Sequence, residues 1–235
     1  MTIVGDVITH YSARMTHATP RPATGLQRWI KEPFCGLSHL LGAVLGAVGL
    51  VVLLTHASGD FVQRVGLVVY GASLITLFLA SAMAHSVHCS TEVETRLNRL
   101  DYAAIFFLIA GTYTPICLGV LRGPWGTTML VIEWTLAVFG ATLVLMGRGG
   151  RVGPMLLYIP MGWLVLVATG PMLRLMPTDA LVWLLVGGAI YSLGAIVFAT
   201  HRPRLWPGVF SAHDLWHSMV LVASACQFIA IYLTL

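Results

Sequence analysis

Residues 40–54 read LLGAVLGAVGLVVLL, a run without one charged or side-chain hydrogen-bonding residue. A strand of a membrane barrel alternates lipid-facing and lumen-facing residues, and no such alternation runs through this stretch, so it reads as a helix. A hydrocarbon core of about 30 Å needs roughly 20 mostly apolar residues to cross it as a helix. The chain offers such a stretch seven times, at 37–54, 62–84, 101–121, 127–146, 153–173, 180–199 and 213–234. Composition agrees, since 57% of the 235 residues are hydrophobic and 9% charged, against about a quarter charged in soluble domains. The fold class expected is all-α, a polytopic bundle of seven transmembrane helices. Spans and connectors use the chain from Leu37 onward, so any chemistry is expected inside the bundle rather than in a separate soluble domain.

Residues 1–31 have a different character, with His10, Arg14, His17, Pro20, Arg21 and Pro22 in no apolar run. They are expected to form a flexible cytoplasmic tail ahead of a transmembrane domain at 32–235, and they lack the apolar core and cleavage site of a secretory signal. Sorting basic residues by alternate loops puts Arg14, Arg21, Arg28, Lys31, Arg96, Arg99, Arg148, Arg151, Arg202 and Arg204 on one side. Only Arg64, Arg122 and Arg174 fall on the other, which predicts a cytoplasmic N-terminus, an external C-terminus and a bacterial inner-membrane location. The net charge of +4 then reads as topology signal and attraction to anionic lipid, with no nucleic-acid partner expected. Cys35, Cys89, Cys117 and Cys226 show no CxxC spacing and read as free thiols, with neither a disulfide framework nor a thiolate zinc site.

An ionisable group inside a membrane helix is disfavoured by at least about 2.5–3.5 kcal/mol, so each marks a functional candidate. Span 2 ends in SAMAHSVH, which places Ser81, His85 and His88 at its cytoplasmic end; span 3 enters with Asp101; span 7 enters with His213, Asp214 and His217. Three helices distant in sequence thus carry polar residues to one depth. Residues four apart on a helix differ by about 40° in azimuth and about 6 Å in rise, so His213 and His217 share a face and can hold one ion. His85 is the expected third ligand, completing three imidazoles with one position left for water, the open kind of zinc site. Ser81, one turn deeper than His85, either donates to a zinc-bound water or back-bonds to a carbonyl. Asp101 either takes a proton from that water or caps span 3.

SAMAH, LDYAAIFFLIAGTYTPICL and HDLWH, preceded by EPFCGLSHLLGA with Glu32 and His39, resemble the motifs of the hemolysin III branch of the progestin and adipoQ receptor family. That family is also similar to the alkaline ceramidases. The resemblance runs from about Glu32 to the end of the chain. It implies zinc held by His85, His213 and His217, with Asp101 and Ser81 beside the metal-bound water. Tyr102 departs from the pattern, since many members carry a second polar residue there, often histidine; His88 competes with His85 one turn away. A membrane lipid is the expected substrate or ligand. Hydrolysis of a lipid amide or ester is the first functional reading, with zinc-bound water as nucleophile; a receptor or regulator with a structural zinc, or a lytic pore, is the alternative. A pore would need a polar stripe through the full thickness. Glu133 alone breaks the apolar middle, and is expected in the outer half with Trp134 as an anchor, or paired within the bundle.

Three architectural expectations complete the reading. Gly42, Gly46 and Gly49 predict close helix packing. Pro115 predicts a kink in span 3, with Thr112, Thr114 or water serving the carbonyl it strands. Pro154, Pro160 and Pro171 leave the limits of span 5 the least defined, and Trp29, Trp125, Trp163, Trp183 and Trp206 suggest interfacial belts.

Overall fold

A computed structural model of the chain describes residues 25–148, 155–203, 205–206 and 209–235. Most of the expected tail, with Arg14 and Arg21, and also Arg151, Pro154 and Arg204, lie outside the described residues. The described chain is helical, and its one β-bridge, Trp206 with Phe210, is isolated. The helices are α1 (Pro33–His56), α2 (Phe61–Ser86), α3 (Thr91–Pro115), α4 (Pro124–Leu145), α5 (Met155–Trp163), α6 (Thr169–Leu175), α7 (Thr178–Thr200) and α8 (Ala212–Tyr232). Among the described residues, seven helical stretches are long and apolar enough to cross a membrane, α5 and α6 together making the fifth. The molecule is an integral membrane protein.

Local chemistry sets the helix ends. Pro33 and Pro124 sit in the first turns of α1 and α4, where a missing N–H leaves no gap in the ladder. The Asp60 side chain caps α2 by accepting from Gln63 N at 3.0 Å. Its carboxylate also meets Arg122, ahead of α4, at 2.6 and 2.8 Å, and that guanidinium's hydrogen bond holds the carboxyl down to about 2. At α8 Ser211 and Asp214 form a reciprocal capping box.

The α3 boundary corrects the expectation. The helix begins at Thr91, not near 101, because Ser90 caps it and Glu92 and Glu94 occupy its first turn, where the helix dipole favours acids. Hydropathy marked only the part of α3 that enters the apolar layer. Asp101 therefore lies inside α3 and is not its cap.

Pro115 ends the α-helical part of α3, and Ile116–Val120 continues as a π-helical turn. The hydroxyls of Thr112 and Thr114 donate to the carbonyls of Leu108 and Ala110, rather than to that of Gly111. The fifth span breaks after Trp163 into the 3₁₀ segment Leu164–Ala168. Tyr113, reaching from α3, meets the backbone groups exposed there: its hydroxyl donates to Met161 O at 2.9 Å, with Gly162 O at 3.1 Å, and accepts from Val165 N at 2.9 Å. Irregular backbone at membrane depth survives where such partners exist.

Packing makes α3 the central helix, 61% buried over its most apolar window against 11% for α7. Where α1 crosses α2 and α8, Gly42 leaves no room for a side chain, since a Cβ there would lie 2.8 Å from Leu221 and 2.9 Å from Phe78. Leu41, Leu45 and Val48 on the other face of α1 are exposed, as a lipid-facing surface requires. Trp29, Trp125, Trp183 and Trp206 are exposed, but Trp163 turns inward and donates to Ser192.

Trp134 does not take the anchoring role expected of it, and Glu133 does not find the expected pairing among the described residues. Glu133 is fully buried, neither carboxylate oxygen has a hydrogen-bond partner among the described residues, and Trp134 donates to Thr114 inside the bundle instead of anchoring an interface.

Candidate metal centre

The end of the bundle that holds the starts of α1 and α8 and the end of α2 gathers the polar groups. His85 lies in the last turn of α2, His213 and His217 in the first two turns of α8. Their rings form a triangle, with centroids 4.5 Å apart for His85 and His217, 4.7 Å for His213 and His217, and 5.1 Å for His85 and His213. The Nε2 atoms of His213 and His217 stand 3.1 Å apart, close to the roughly 3.3 Å separating two nitrogens on one tetrahedral zinc.

The opposite ring nitrogens are occupied from α1. Glu32, the residue ahead of α1, accepts from His85 Nδ1 at 2.7 Å. Burial alone would raise the Glu32 carboxyl, but the hydrogen bond and charge of His85, with His213 and Lys31 nearby, hold it below the ordinary glutamate range. It is therefore an acceptor, and a metal on His85 Nε2 would place that ring's proton on Nδ1, facing Glu32. His39 Nε2 lies 3.0 Å from His217 Nδ1. A metal on His217 Nε2 places the proton on Nδ1, and His39 is then its acceptor. Metal-ligating histidines ordinarily have such outer partners, and losing one weakens metal affinity about 10–100-fold. Glu32→Ala should therefore lower zinc affinity about 10–100-fold with the fold retained, as read by competition with a chelator. Unchanged affinity would remove Glu32 from the centre.

Asp101 faces the other side of His85, its Oδ2 3.8 Å from Nε2. Ser81 is buried one turn below His85 and lines the same cavity as Asp101 and the three histidines. That cavity, about 270 Å³, extends from Lys31 and Glu32 past Ile105, Leu108 and Ile109 to Leu121, Met129 and Met172. Glu133 does not line it. His88 is exposed and bonds the Gln27 carbonyl instead of joining the cluster. Asp214 turns away from the ion position: its Oδ2 completes the helix cap with Ser211, and its Oδ1 accepts from Cys35.

The donor set suits a metal. One ligand atom each from Cys35, His85, His213 and His217 lies within 4.8 Å of every other, so this group of cysteine and histidines could bind a metal ion. The place of Cys35 among these ligand atoms departs from the sequence reading, which expected no thiolate zinc site from the cysteine spacing. All four cysteines are free thiols.

The model of the family described as "Haemolysin-III related" matches residues 27–228. The chain belongs to the hemolysin III family. It is 39% identical over 212 residues to "Hemolysin-3" of Bacillus cereus, covering 88% of this chain and 94% of that protein. The branch lies within the progestin and adipoQ receptor family. "Monocyte to macrophage differentiation factor" of Homo sapiens is 30% identical over 200 residues, 82% of this chain and 78% of the relative. "Adiponectin receptor protein" of Drosophila melanogaster is 24% identical, across 80% of this chain and 47% of its own length.

In this hemolysin III chain the acid and histidine of the first motif have defined places, Glu32 behind His85 and His39 behind His217. Cys35 gave no motif signal. Its position four before His39 does put the two on one face of α1, and that register was the available clue.

Proposed function

We propose that this protein is a zinc-dependent hydrolase of a lipid amide or ester, with its site just inside the cytoplasmic leaflet of the bacterial inner membrane. The observation that carries the reading is the joining of the histidine cluster, Asp101 and Ser81 to a cavity whose deeper walls are apolar. His85, His213 and His217 would hold the zinc. When bound there, zinc supplies a water whose pKa falls from 15.7 toward about 7, together with Lewis-acid polarisation of a carbonyl.

The remaining work falls to the chain's own residues. The apolar stretch from Ile105 to Met172 accepts a hydrocarbon chain and excludes bulk water. Asp101 takes the proton of the attacking water at its carboxylate. Ser81 donates to the carbonyl oxygen as negative charge develops on it, which counts for more in a dry site than in water. Glu32 and His39 keep the ligand imidazoles oriented.

The test is fatty-acid release from ceramide-type and ester lipids in nanodiscs containing the zinc-loaded protein. Release should stop with a chelator and return with zinc. Metal-loaded protein that releases nothing from any amide or ester would sink the proposal and favour the rival reading, a receptor or regulator in which the metal only ties α1, α2 and α8 together. The position of Cys35 is the observation on the rival's side, because a fourth protein ligand closes a zinc site.

A further inference from the structure

Cys35 is 1% exposed, and among the described residues its sulfur meets one hydrogen-bonding group, Asp214 Oδ1, at 3.2 Å. It belongs to the set of ligand atoms within 4.8 Å of one another that includes His85, His213 and His217. Two ligands at about 2.0–2.3 Å from a tetrahedral zinc stand roughly 3.5 Å apart, so the sulfur has on the order of 1 Å to travel. A cysteine side chain covers that by a turn about its Cα–Cβ bond.

Three imidazoles are neutral, and three neutral ligands leave a double charge near the apolar layer. A thiolate halves that charge, and sulfur is among the ligands zinc takes most readily. The packing of α1 makes the approach repeatable, because His39 on the same helix face and Glu32 just ahead of the helix are already engaged with His217 and His85.

Resting on the three-histidine reading above, we propose that the Cys35 thiolate is the fourth protein ligand of the metal in the resting protein, closing the centre as one sulfur and three nitrogens. When the metal–sulfur bond forms, the thiol proton is released to water, so the charge balances. Opening the centre for water is the reverse: the bond to sulfur breaks, Cys35 takes up a proton from water, and the thiol returns to its hydrogen bond with Asp214 Oδ1. Hydrolysis then belongs to the opened form. Cys35 thus acts as a gate on the fourth coordination position.

The experiment uses the full-length protein loaded with zinc or cobalt. X-ray absorption of the zinc form should show one sulfur at about 2.3 Å beside nitrogens at about 2.0–2.1 Å. The cobalt form should show a near-ultraviolet thiolate-to-metal charge-transfer band. Cys35→Ser should lose that band while keeping cobalt per chain and its visible bands, and Cys117→Ser, at a buried cysteine outside the cluster, should keep all three signals. A zinc shell of nitrogen and oxygen only, at full metal occupancy, overturns the assignment of Cys35 and leaves the three histidines standing. A sulfur signal that persists in Cys35→Ser overturns it too. Wild-type protein that binds neither metal overturns both readings. Should Cys35→Ser not fold, the wild-type zinc spectrum decides alone.

Discussion

Replacing His217 with alanine is expected to empty the metal site. His217 is 2% exposed and central to the cluster, with its Nε2 3.1 Å from His213 Nε2 and its Nδ1 3.0 Å from His39. Alanine removes an inward lone pair, and no neighbouring donor replaces it on α8, because Asp214 is held in the helix cap. The loss should exceed the roughly 10–100-fold expected for an outer partner such as Glu32, giving near-zero zinc per chain after dialysis against a chelating buffer. Wild type should retain about one zinc, as a single set of three or four ligands implies. His88→Ala is the matched control: His88 is exposed and bonded to the Gln27 carbonyl, so its removal should leave the zinc content intact. A bound metal also stabilises the folded chain by mass action, so zinc should raise the melting temperature of wild type and not of His217→Ala. Equal zinc content in the two proteins would end the metal-site reading.

The bundle was legible because composition constrains a membrane chain so strongly. A stretch such as 40–54 has one stable solution in lipid, a helix that satisfies its own backbone. What hydropathy could not see was helix outside the apolar layer. Thr91–Leu100 is charged, and its helicity comes from the Ser90 cap and the acids of the first turn. Nor could it see the break in the fifth span, because the Tyr113 hydroxyl that supports that backbone comes from α3.

At the site, what a single helix encodes could be read and what needs two helices could not. His213 and His217 follow from four-residue spacing, and His85 from matched depth. The tie between Asp214 and Cys35 spans 179 residues, and no local spacing announces it. Glu133 shows the same limit: a carboxyl in an apolar run is visible in sequence, but that its oxygens find no partner among the described residues is a property of the assembled bundle.

Asp101→Asn is expected to separate turnover from metal binding. The substitution keeps shape and hydrogen-bonding capacity but removes the basic oxygen, so zinc per chain should stay near the wild-type value. If Asp101 is the base proposed above, lipid hydrolysis should fall about 10²–10⁴-fold, the usual worth of a positioned acid–base group. The loss should appear in kcat with KM little altered, because a proton acceptor acts as the barrier is crossed and not when the lipid enters its cavity. Structure already weakens the purely architectural role: α3 starts at Thr91 with Ser90 as its cap, so Asp101 is not needed to begin the helix. Its Oδ2 faces His85 Nε2 at 3.8 Å, on the opposite side from Glu32, which already supports the imidazole through Nδ1. A carboxylate there is placed for something bound between it and the ring. Wild-type rates in Asp101→Asn would remove it as the base, whereas parallel loss of zinc and turnover would make it a support for the metal rather than a participant in the chemistry.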